Sequence, residues 1–148
     1  WPDATVEVTA DDPPPAAFLD NFARTETDEN VNAHIARYYV AALRMGRTAP
    51  NVRTTHVIVR RDAEAVAFAS VYCIGQLAGL YNVATRADAR RQGLGAAVTT
   101  AALHLAAESG AETMFLQCAA DSPAEALYRR VGFQVATRPW LVELTPSG

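Results

Sequence analysis

The spacing of hydrophobic positions predicts a strand followed by two helices in the first third of the chain. Residues 5–9 alternate apolar and polar side chains, which is typical of a half-buried strand. Acidic residues and prolines precede residues 16–24, and this combination favours a helix start. After a polar loop at residues 25–30, residues 31–45 carry apolar side chains at helical spacing, and Gly46 follows where a helix can end.

Three successive strands are predicted in the middle of the chain. Residues 54–59, 66–73 and 77–85 are rich in β-branched and aromatic side chains and are separated by short polar turns. The first two are therefore expected to form a hairpin, which the third extends. A long helix over residues 94–109 follows, because its apolar positions fall on one stripe and Gly110 can end it.

The last third of the chain predicts a strand, a helix and two terminal strands. An apolar stretch at residues 113–118 indicates a strand, and residues 122–131 form a helix that ends at a glycine. Residues 133–137 and 140–144 have the composition of strands. The resulting order, β-α-α-β-β-β-α-β-α-β-β, predicts an α+β fold in which a mixed sheet lies between layers of helices.

Length and charge narrow the class of protein. A chain of 148 residues suffices for a single domain over residues 1–148 that buries its own core. A net charge of -3 argues against nucleic-acid binding, and the apolar stretches are shorter than the roughly 20 residues of a membrane-spanning helix. Because the chain begins at Trp1 and not at Met, the sequence leaves open whether it is part of a longer chain.

Cysteine and arginine usage indicates the compartment and the source. Cys73 and Cys118 form no disulfide framework, so we expect a reducing, cytoplasmic location. Cys and His are scattered singly, so we expect no metal, and the apolar stretch around Cys118 predicts a buried structural thiol. All 13 basic residues are arginines and alanine is abundant, which is typical of a GC-rich bacterial genome.

A glycine-containing turn precedes the long helix. Gly93 and Gly95 lack the Cβ atoms that keep a ligand away from the backbone, and the helix start offers unpaired amides at the positive end of its dipole. Arg90 and Arg91 add positive charge. The segment lacks the lysine of a Walker A loop and the third glycine of a dinucleotide fingerprint. It therefore indicates a phosphate site, with a plain strand-to-helix turn as the alternative.

A second segment of interest begins at a capping box. Ser122-Pro123-Ala124-Glu125 places proline at the first helical position and fixes where the helix starts. Tyr128 lies less than two turns into this helix, and Gly132-Phe133 follow its end. Taken by itself, Tyr128 fits core packing better than chemistry, since a tyrosine buries its ring while its hydroxyl finds a partner or solvent.

The two segments together resemble the GCN5-related N-acetyltransferase (GNAT) family. The first is Arg90-Arg91-Gln92-Gly93-Leu94-Gly95-Ala96, and about 30 residues further on comes Ala126-Leu127-Tyr128-Arg129-Arg130-Val131-Gly132-Phe133. Asn82-Val83-Ala84-Thr85 is similar to that family's central strand. The resemblance covers the chain from Thr54 onward and, more loosely, the part before it. It implies the GNAT fold, with a mixed sheet of about six to seven strands flanked by about four helices.

The resemblance also implies acetyl-CoA as co-substrate and an unidentified amine as acceptor. In that family the pyrophosphate lies on the amides of the turn, and the pantetheine arm lies between two splayed strands, here residues 77–85 and 113–118. The amide of Val83 would polarise the thioester carbonyl. By this resemblance, the cofactor-binding residues are Val83, Ala84, Thr85, Arg90, Arg91, Gln92, Gly93, Gly95 and Ala96.

The implied chemistry is direct acetyl transfer to a primary amine of a small molecule or peptide. The resemblance makes Tyr128 the general acid, which supplies a proton or a hydrogen bond to the departing thiolate. The amine must lose a proton, but no residue stands out as the base. The other polar candidates are explained as walls, helix faces or strand surfaces: Glu26, Glu29, Tyr81, Asn82, His34, His56 and His104.

One position departs from the family pattern and keeps a second function open. GNAT proteins often have an asparagine seven residues before the tyrosine, where this chain has Asp121, which accepts but does not donate hydrogen bonds. The alternative is therefore a catalytically inactive acyl-CoA-binding sensor or regulatory domain. The resemblance also implies a homodimer as one form of assembly, paired through residues 140–144.

Overall fold

The computed structural model describes residues 3–46 and 49–139, which form one sheet with helices on both faces. The elements, in chain order, are β1 (Ala4–Thr9), α1 (Ala16–Phe22), α2 (Glu29–His34), a π-helical turn (Ile35–Val40), α3 (Ala41–Arg44), β2 (Arg53–Arg61), β3 (Glu64–Ile74), β4 (Leu77–Thr85), a 3-10 turn (Ala87–Ala89), α4 (Leu94–Glu108), β5 (Thr113–Phe115) and α5 (Pro123–Val131). The predicted order from the first strand to the last helix is confirmed.

The five strands of the described sheet follow the order β1-β2-β3-β4-β5. Neighbours are antiparallel except β4 and β5, which are parallel because α4 carries the chain back across the sheet before β5 begins. The hairpin between β2 and β3 turns at Asp62 and Ala63, whose φ angles of 50° and 67° are those of a type I′ turn. The predicted meander of three strands is thus confirmed.

Residues 3–46 and 49–139 contain a sheet of five strands, fewer than the expected six to seven. Residues 133–137, predicted as a strand, are not in a strand within that part of the chain, and β5 ends at Phe115 instead of residue 118. The strand predicted at residues 140–144 lies outside the described residues. A strand exists only where a neighbour bonds it, and an apolar pattern does not identify that neighbour.

Two apolar clusters, one on each face of the sheet, hold the layers together. Val57 and Val59 belong to the cluster that packs against α4, whereas Ile58 between them packs with Phe18 of α1 and Phe68 of β3. These side chains are at most 1% exposed, and burying each one stabilises the fold by about 1.5–3 kcal/mol. The expected α+β arrangement of three layers is therefore confirmed.

The predicted helix over residues 31–45 is present, and its middle turn is wider than expected. Helices α2 and α3 are joined without a break by the π-helical turn, and Val40 is the residue of this stretch that is buried. Gly46 follows in a left-handed conformation, with φ 61°, and ends the helix. Throughout residues 3–46 and 49–139, no helix combines the length and hydropathy needed to cross a membrane.

Candidate functional site

The site begins where β4 and β5 stop pairing. Their parallel ladder joins Leu77 to Thr113, Ala78 to Met114 and Gly79 to Phe115, and no further pair is formed within the described residues. β4 continues to Thr85 with β3 on its other side. In the described part of the chain, the backbone of β4 beyond Gly79 therefore has one edge without a strand partner, and an extended ligand could lie along it.

A bulge interrupts β4 at this unpaired edge. Phe68 of β3 lies opposite Ala84, and Ser70 lies opposite Tyr81, so the two residues Asn82 and Val83 face a single residue of β3. Asn82 has φ 53°, a left-handed conformation that asparagine tolerates better than most residues. Such a bulge turns backbone groups out of the ladder, so they are available to a ligand.

The turn after β4 presents the start of α4 to solvent. Gly93, with φ 79°, is the N-cap of α4, and no side chain caps the helix. The first-turn amides of Leu94, Gly95 and Ala96 have no acceptor within an α-helix, so they remain available for an anion. A Cβ atom on Gly95 would lie 3.1 Å from Leu127 Cδ1, which shows how closely α5 approaches this helix start.

The two arginines of the turn differ in their partners. Arg90 Nη2 donates to the Thr25 carbonyl at 2.5 Å and pairs with the Glu26 carboxylate at 2.9 Å, while its Nε donates to the Thr85 carbonyl at 3.3 Å. Arg90 therefore joins the loop before α2 to the end of β4. The exposed Arg91, with φ 63°, forms no hydrogen bond or ion pair with the described residues, and its guanidinium is the one available to a phosphate.

Replacing Arg90 is expected to loosen the loop between α1 and α2. In Arg90→Gln the ion pair with Glu26 and the hydrogen bond to Thr25 are lost, so amide hydrogen exchange over residues 23–28 should rise about tenfold, which corresponds to a loss of about 1.4 kcal/mol of local stability. Exchange measured by mass spectrometry tests this. Arg91→Gln is the matched control, and equal exchange in the two variants would contradict the assignment of Arg90 to the loop.

The start of α5 is fixed as the capping box predicts, with one difference. Ser122 Oγ accepts a hydrogen bond from the Glu125 amide at 3.2 Å, but the Glu125 carboxylate accepts from the Asp121 amide at 2.8 Å and not from that of Ser122. This bond and the contact with Arg129 at 2.9 Å hold the pKa of Glu125 below its usual range. The carboxylate therefore stays charged and locks the helix that carries Tyr128.

Tyr128 faces the core with its hydroxyl unpaired. Its ring packs edge-on against Phe133, with centroids 6.0 Å apart, and borders the cluster that includes Val83 and Leu116. The hydroxyl makes no hydrogen bond with the residues that the structure describes. Burial, and secondarily the charge of Cys118, raises the pKa of Tyr128 to about 12. The group is therefore a neutral donor at physiological pH, with a hydrogen bond left to give.

Two sequence-based expectations near Tyr128 have different outcomes. Cys118 was predicted to be buried, but it is exposed, because β5 ends at Phe115 and no strand within residues 3–46 and 49–139 covers the chain beyond it. Asp121 has φ 56°, and its carboxylate lies 3.4 Å from Arg138 and is largely exposed. Its backbone amide, rather than its side chain, supports the helix start.

No group of three or more His, Cys, Asp or Glu within the described residues could hold a metal ion.

Three polar residues beside the bulge were not predicted as a unit. His56 Nδ1 lies 2.9 Å from Ser70 Oγ, which also accepts from Asn82 Nδ2 at 3.0 Å. His56 was expected on a strand surface, yet it is 1% exposed because α1 covers it through Phe18. The alternation along β2 places His56 on the face of Ile58, but nothing local in the sequence shows that a helix covers that position.

Comparison with known proteins gives one family and a set of similar folds. A family model described as "Acetyltransferase (GNAT) family" matches residues 21–133. No curated protein matches the chain in sequence.

Among solved structures, the similar ones share the fold at low identity. An aminoglycoside acetyltransferase from an uncultured soil metagenomic sample is 18% identical over 96% of this chain and 99% of that chain, with a TM-score of 0.70. A transcriptional regulator from Bacillus halodurans C-125 is 19% identical over 95% and 100%, with a TM-score of 0.68. The ribosomal-protein-S18-alanine N-acetyltransferase from Escherichia coli is 21% identical over 90% and 80%, with a TM-score of 0.61. At these identities the likeness concerns the fold.

Proposed function

Because the chain belongs to the GNAT acetyltransferase family, we propose that it transfers an acetyl group from acetyl-CoA to a primary amine of a small molecule or peptide. The observation that carries the proposal is that the end of β4, the uncapped start of α4 and the helix that carries Tyr128 meet: a Cβ atom on Gly95 would lie 3.6 Å from Thr85 and 3.1 Å from Leu127, and Val83 and Tyr128 pack against the same cluster. A plain strand-to-helix turn would account for Gly93, but not for the unpaired edge or the hydroxyl.

The chain's own groups fit acetyl-CoA in two places. The first-turn amides of α4 suit a pyrophosphate, and among the arginines of the turn Arg91 adds a charge-assisted contact, whereas Arg90 is held by Glu26. The backbone of Val83, Ala84 and Thr85 suits the amides of pantetheine, as an added strand would. These residues, with Gln92, Gly95 and Ala96 of the turn, hold the donor in this proposal.

The reaction requires one bond to form, one to break and one proton to move. The amine nitrogen bonds to the acetyl carbon, the carbon–sulfur bond breaks, and the proton lost by nitrogen ends on sulfur. A backbone amide at the bulge stabilises the charge on the carbonyl oxygen. At physiological pH most of an alkyl amine is protonated, so the rate should rise with pH as the neutral fraction grows.

The pKa of Tyr128 decides how it assists the thiolate. A thiol has a pKa near 8.5 and Tyr128 one of about 12, so complete proton transfer from Tyr128 to a thiolate would be uphill by about 5 kcal/mol. Donation of a hydrogen bond carries no such penalty and is favoured by the water-poor surroundings of the hydroxyl. Tyr128 therefore stabilises the leaving sulfur mainly by a hydrogen bond, while the proton comes from the nitrogen.

The acceptor approaches the other face of the bulge in this proposal. Tyr81 is 39% exposed and Phe115 40%, and their rings stand edge to face beside that of Tyr72. A cavity of about 210 Å³ borders Tyr72 and includes Asp12, His56 and Leu43 in its lining. An aromatic wall next to an acidic side chain suits a cationic amine. By their names, two of the three reported structural neighbours act on an aminoglycoside and on an alanine of ribosomal protein S18, and the third is a transcriptional regulator.

Acetyl-CoA turnover with a panel of amines tests the proposal. The panel should contain an aminoglycoside, a polyamine and a peptide with a free amino terminus, and thiol release should be followed together with the mass of the product. An increase of 42 Da in one amine, with one thiol released per product, supports it. Binding of acetyl-CoA without turnover of any amine would indicate the sensor instead, and no binding of CoA would exclude both.

Two expectations from the sequence stay predictions. The two free cysteines support a cytoplasmic location, and cell fractionation would test that location directly. A homodimer through residues 140–144 concerns a segment outside the described residues, and light scattering in solution would test it.

A further inference from the structure

The bulge in β4 is held from behind by a chain of three polar side chains. Asn82 Nδ2 donates to Ser70 Oγ at 3.0 Å, and Ser70 Oγ lies 2.9 Å from His56 Nδ1. Ser70 is fully buried and His56 is 1% exposed, so neither has bulk water as an alternative partner. A buried polar group that loses its partner costs about 1–3 kcal/mol, so the hydrogen bonds constrain the positions of these three side chains.

The direction of the hydrogen bonds follows from counting donors and acceptors. Asn82 Nδ2 is a donor, so Ser70 Oγ accepts from it and keeps one proton to give. His56 Nδ1 lies 2.9 Å from Ser70 Oγ and accepts that proton when it is unprotonated, and the Tyr72 hydroxyl lies near Ser70 and Asn82 as well. Burial lowers the pKa of His56, which favours a neutral ring. Nε2 of that ring is buried without a hydrogen-bond partner among the described residues, so Ser70 is the side chain that orients it.

This series of hydrogen bonds ends at Asn82, the one residue of β4 that has a left-handed backbone. Asn82 has φ 53°, and for most residues this conformation costs about 1–2 kcal/mol. The side-chain bond to Ser70 offsets part of that cost and sets the direction in which the peptide groups of Asn82 and Val83 point. His56 is itself clamped by Phe18 of α1, with ring centroids 5.2 Å apart.

We propose that His56 and Ser70 are positioning residues, which hold Asn82 so that the bulge presents its backbone to the reacting thioester before any ligand arrives. The proposal rests on the proposed function, because it assigns the bulge to the acyl-transfer step. Ser70 touches no substrate in this scheme, and the role proposed for His56, which also lines the cavity beside Tyr72, is exerted through Ser70. Both act through Asn82, and preorganised donors of this kind contribute mainly to the transition state.

The test compares kcat with CoA affinity in variants of the three residues. In Ser70→Ala and in Asn82→Gly, kcat should fall between about 10- and 100-fold, because the bulge loses its support. The Kd for CoA should change less than about threefold, because the turn at α4 and the backbone of Ala84 and Thr85 lie outside the bulge. Asn82→Gly is included because this variant should fold: glycine readily adopts the left-handed conformation, and position 82 is only half-buried.

His56 allows a matched pair of substitutions. In His56→Asn the side-chain oxygen can accept the Ser70 proton in place of Nδ1, so most of kcat should be retained, whereas His56→Leu should lose as much as Ser70→Ala. Val57→Ala is the control for stability, since Val57 is the next residue of β2 and packs on the opposite face. It should lower the Tm while kcat changes less than about threefold.

Two results would overturn the proposal. One is a kcat of Ser70→Ala and Asn82→Gly within about twofold of wild type. The other is an equal loss in His56→Asn and His56→Leu, which would indicate packing alone. If the wild type acetylates no amine, the proposed function fails by itself. Amide hydrogen exchange at Asn82 and Val83 then decides the inference, because it should be faster in Ser70→Ala than in Val57→Ala and unchanged exchange refutes it.

Discussion

Tyr128→Phe is expected to lower kcat about 100-fold or more while the protein stays as stable as wild type, because only the leaving sulfur loses a partner. The hydroxyl makes no hydrogen bond within the described residues, so its removal leaves no buried group unsatisfied. The ring, which packs on Phe133, is retained in phenylalanine. Steady-state kinetics with saturating acetyl-CoA and a Tm measurement check the two parts of this result.

The pH dependence of the wild type gives an independent check. Tyr128 is protonated below its pKa of about 12, so the wild-type kcat should rise as the acceptor amine loses its proton and show no fall from Tyr128 ionisation below about pH 11. Tyr38→Phe is the matched control, since Tyr38 is an exposed tyrosine of the π-helical turn. A kcat for Tyr128→Phe within about threefold of wild type would remove Tyr128 from the mechanism.

Gly93→Val is expected to raise the Kd for acetyl-CoA about tenfold or more, and to lower stability as well. Gly93 has φ 79°, which a β-branched residue adopts only at a cost of about 1–2 kcal/mol. The turn can relieve that strain only by moving the amides that begin α4, and a loss of about 1.4 kcal/mol in their contact with the pyrophosphate is a factor of ten. Isothermal calorimetry with CoA measures the change directly.

Two further variants distinguish the loss of pyrophosphate contacts from the effect of backbone strain. Gly110 follows the opposite end of α4 with φ 86°, and a Cβ there would meet nothing within 4 Å. Gly110→Val should therefore destabilise the same helix by a similar amount and leave the Kd for CoA unchanged. Gly93→Asn should keep both properties near wild type, since asparagine tolerates the left-handed conformation. Equal CoA affinities in Gly93→Val and Gly110→Val would show that the turn does not bind the pyrophosphate.

Local patterns in the sequence were sufficient for most elements of the fold. The third strand of the meander was predicted as residues 77–85, and β4 spans Leu77–Thr85. The capping box predicted the start of α5, and Gly132 ends that helix in a left-handed conformation. Such signals depend on neighbours within one or two turns, which the sequence contains in full.

Other features were wrong or invisible in the sequence because they depend on distant partners. Cys118 lies in an apolar stretch but is exposed, since no strand in the described residues covers it. His56 was expected on a strand surface but is buried by α1. The ion pair of Arg90 with Glu26, far away in the chain, was invisible in the sequence, and a role of Arg90 at the phosphate stays a prediction. Each outcome depends on which elements pack together, and a local pattern does not encode this.

The sequence by itself therefore determined the order of strands and helices, the two motifs and, through them, the family. Only the tertiary structure decided that β4 leaves β5 after Gly79, that Asn82 lies in a bulge and bonds to Ser70, and that Arg90 pairs with Glu26. The physical reason is that periodicity and capping are properties of neighbouring residues, whereas strand pairing, burial and ion pairs join residues that the folded chain brings together.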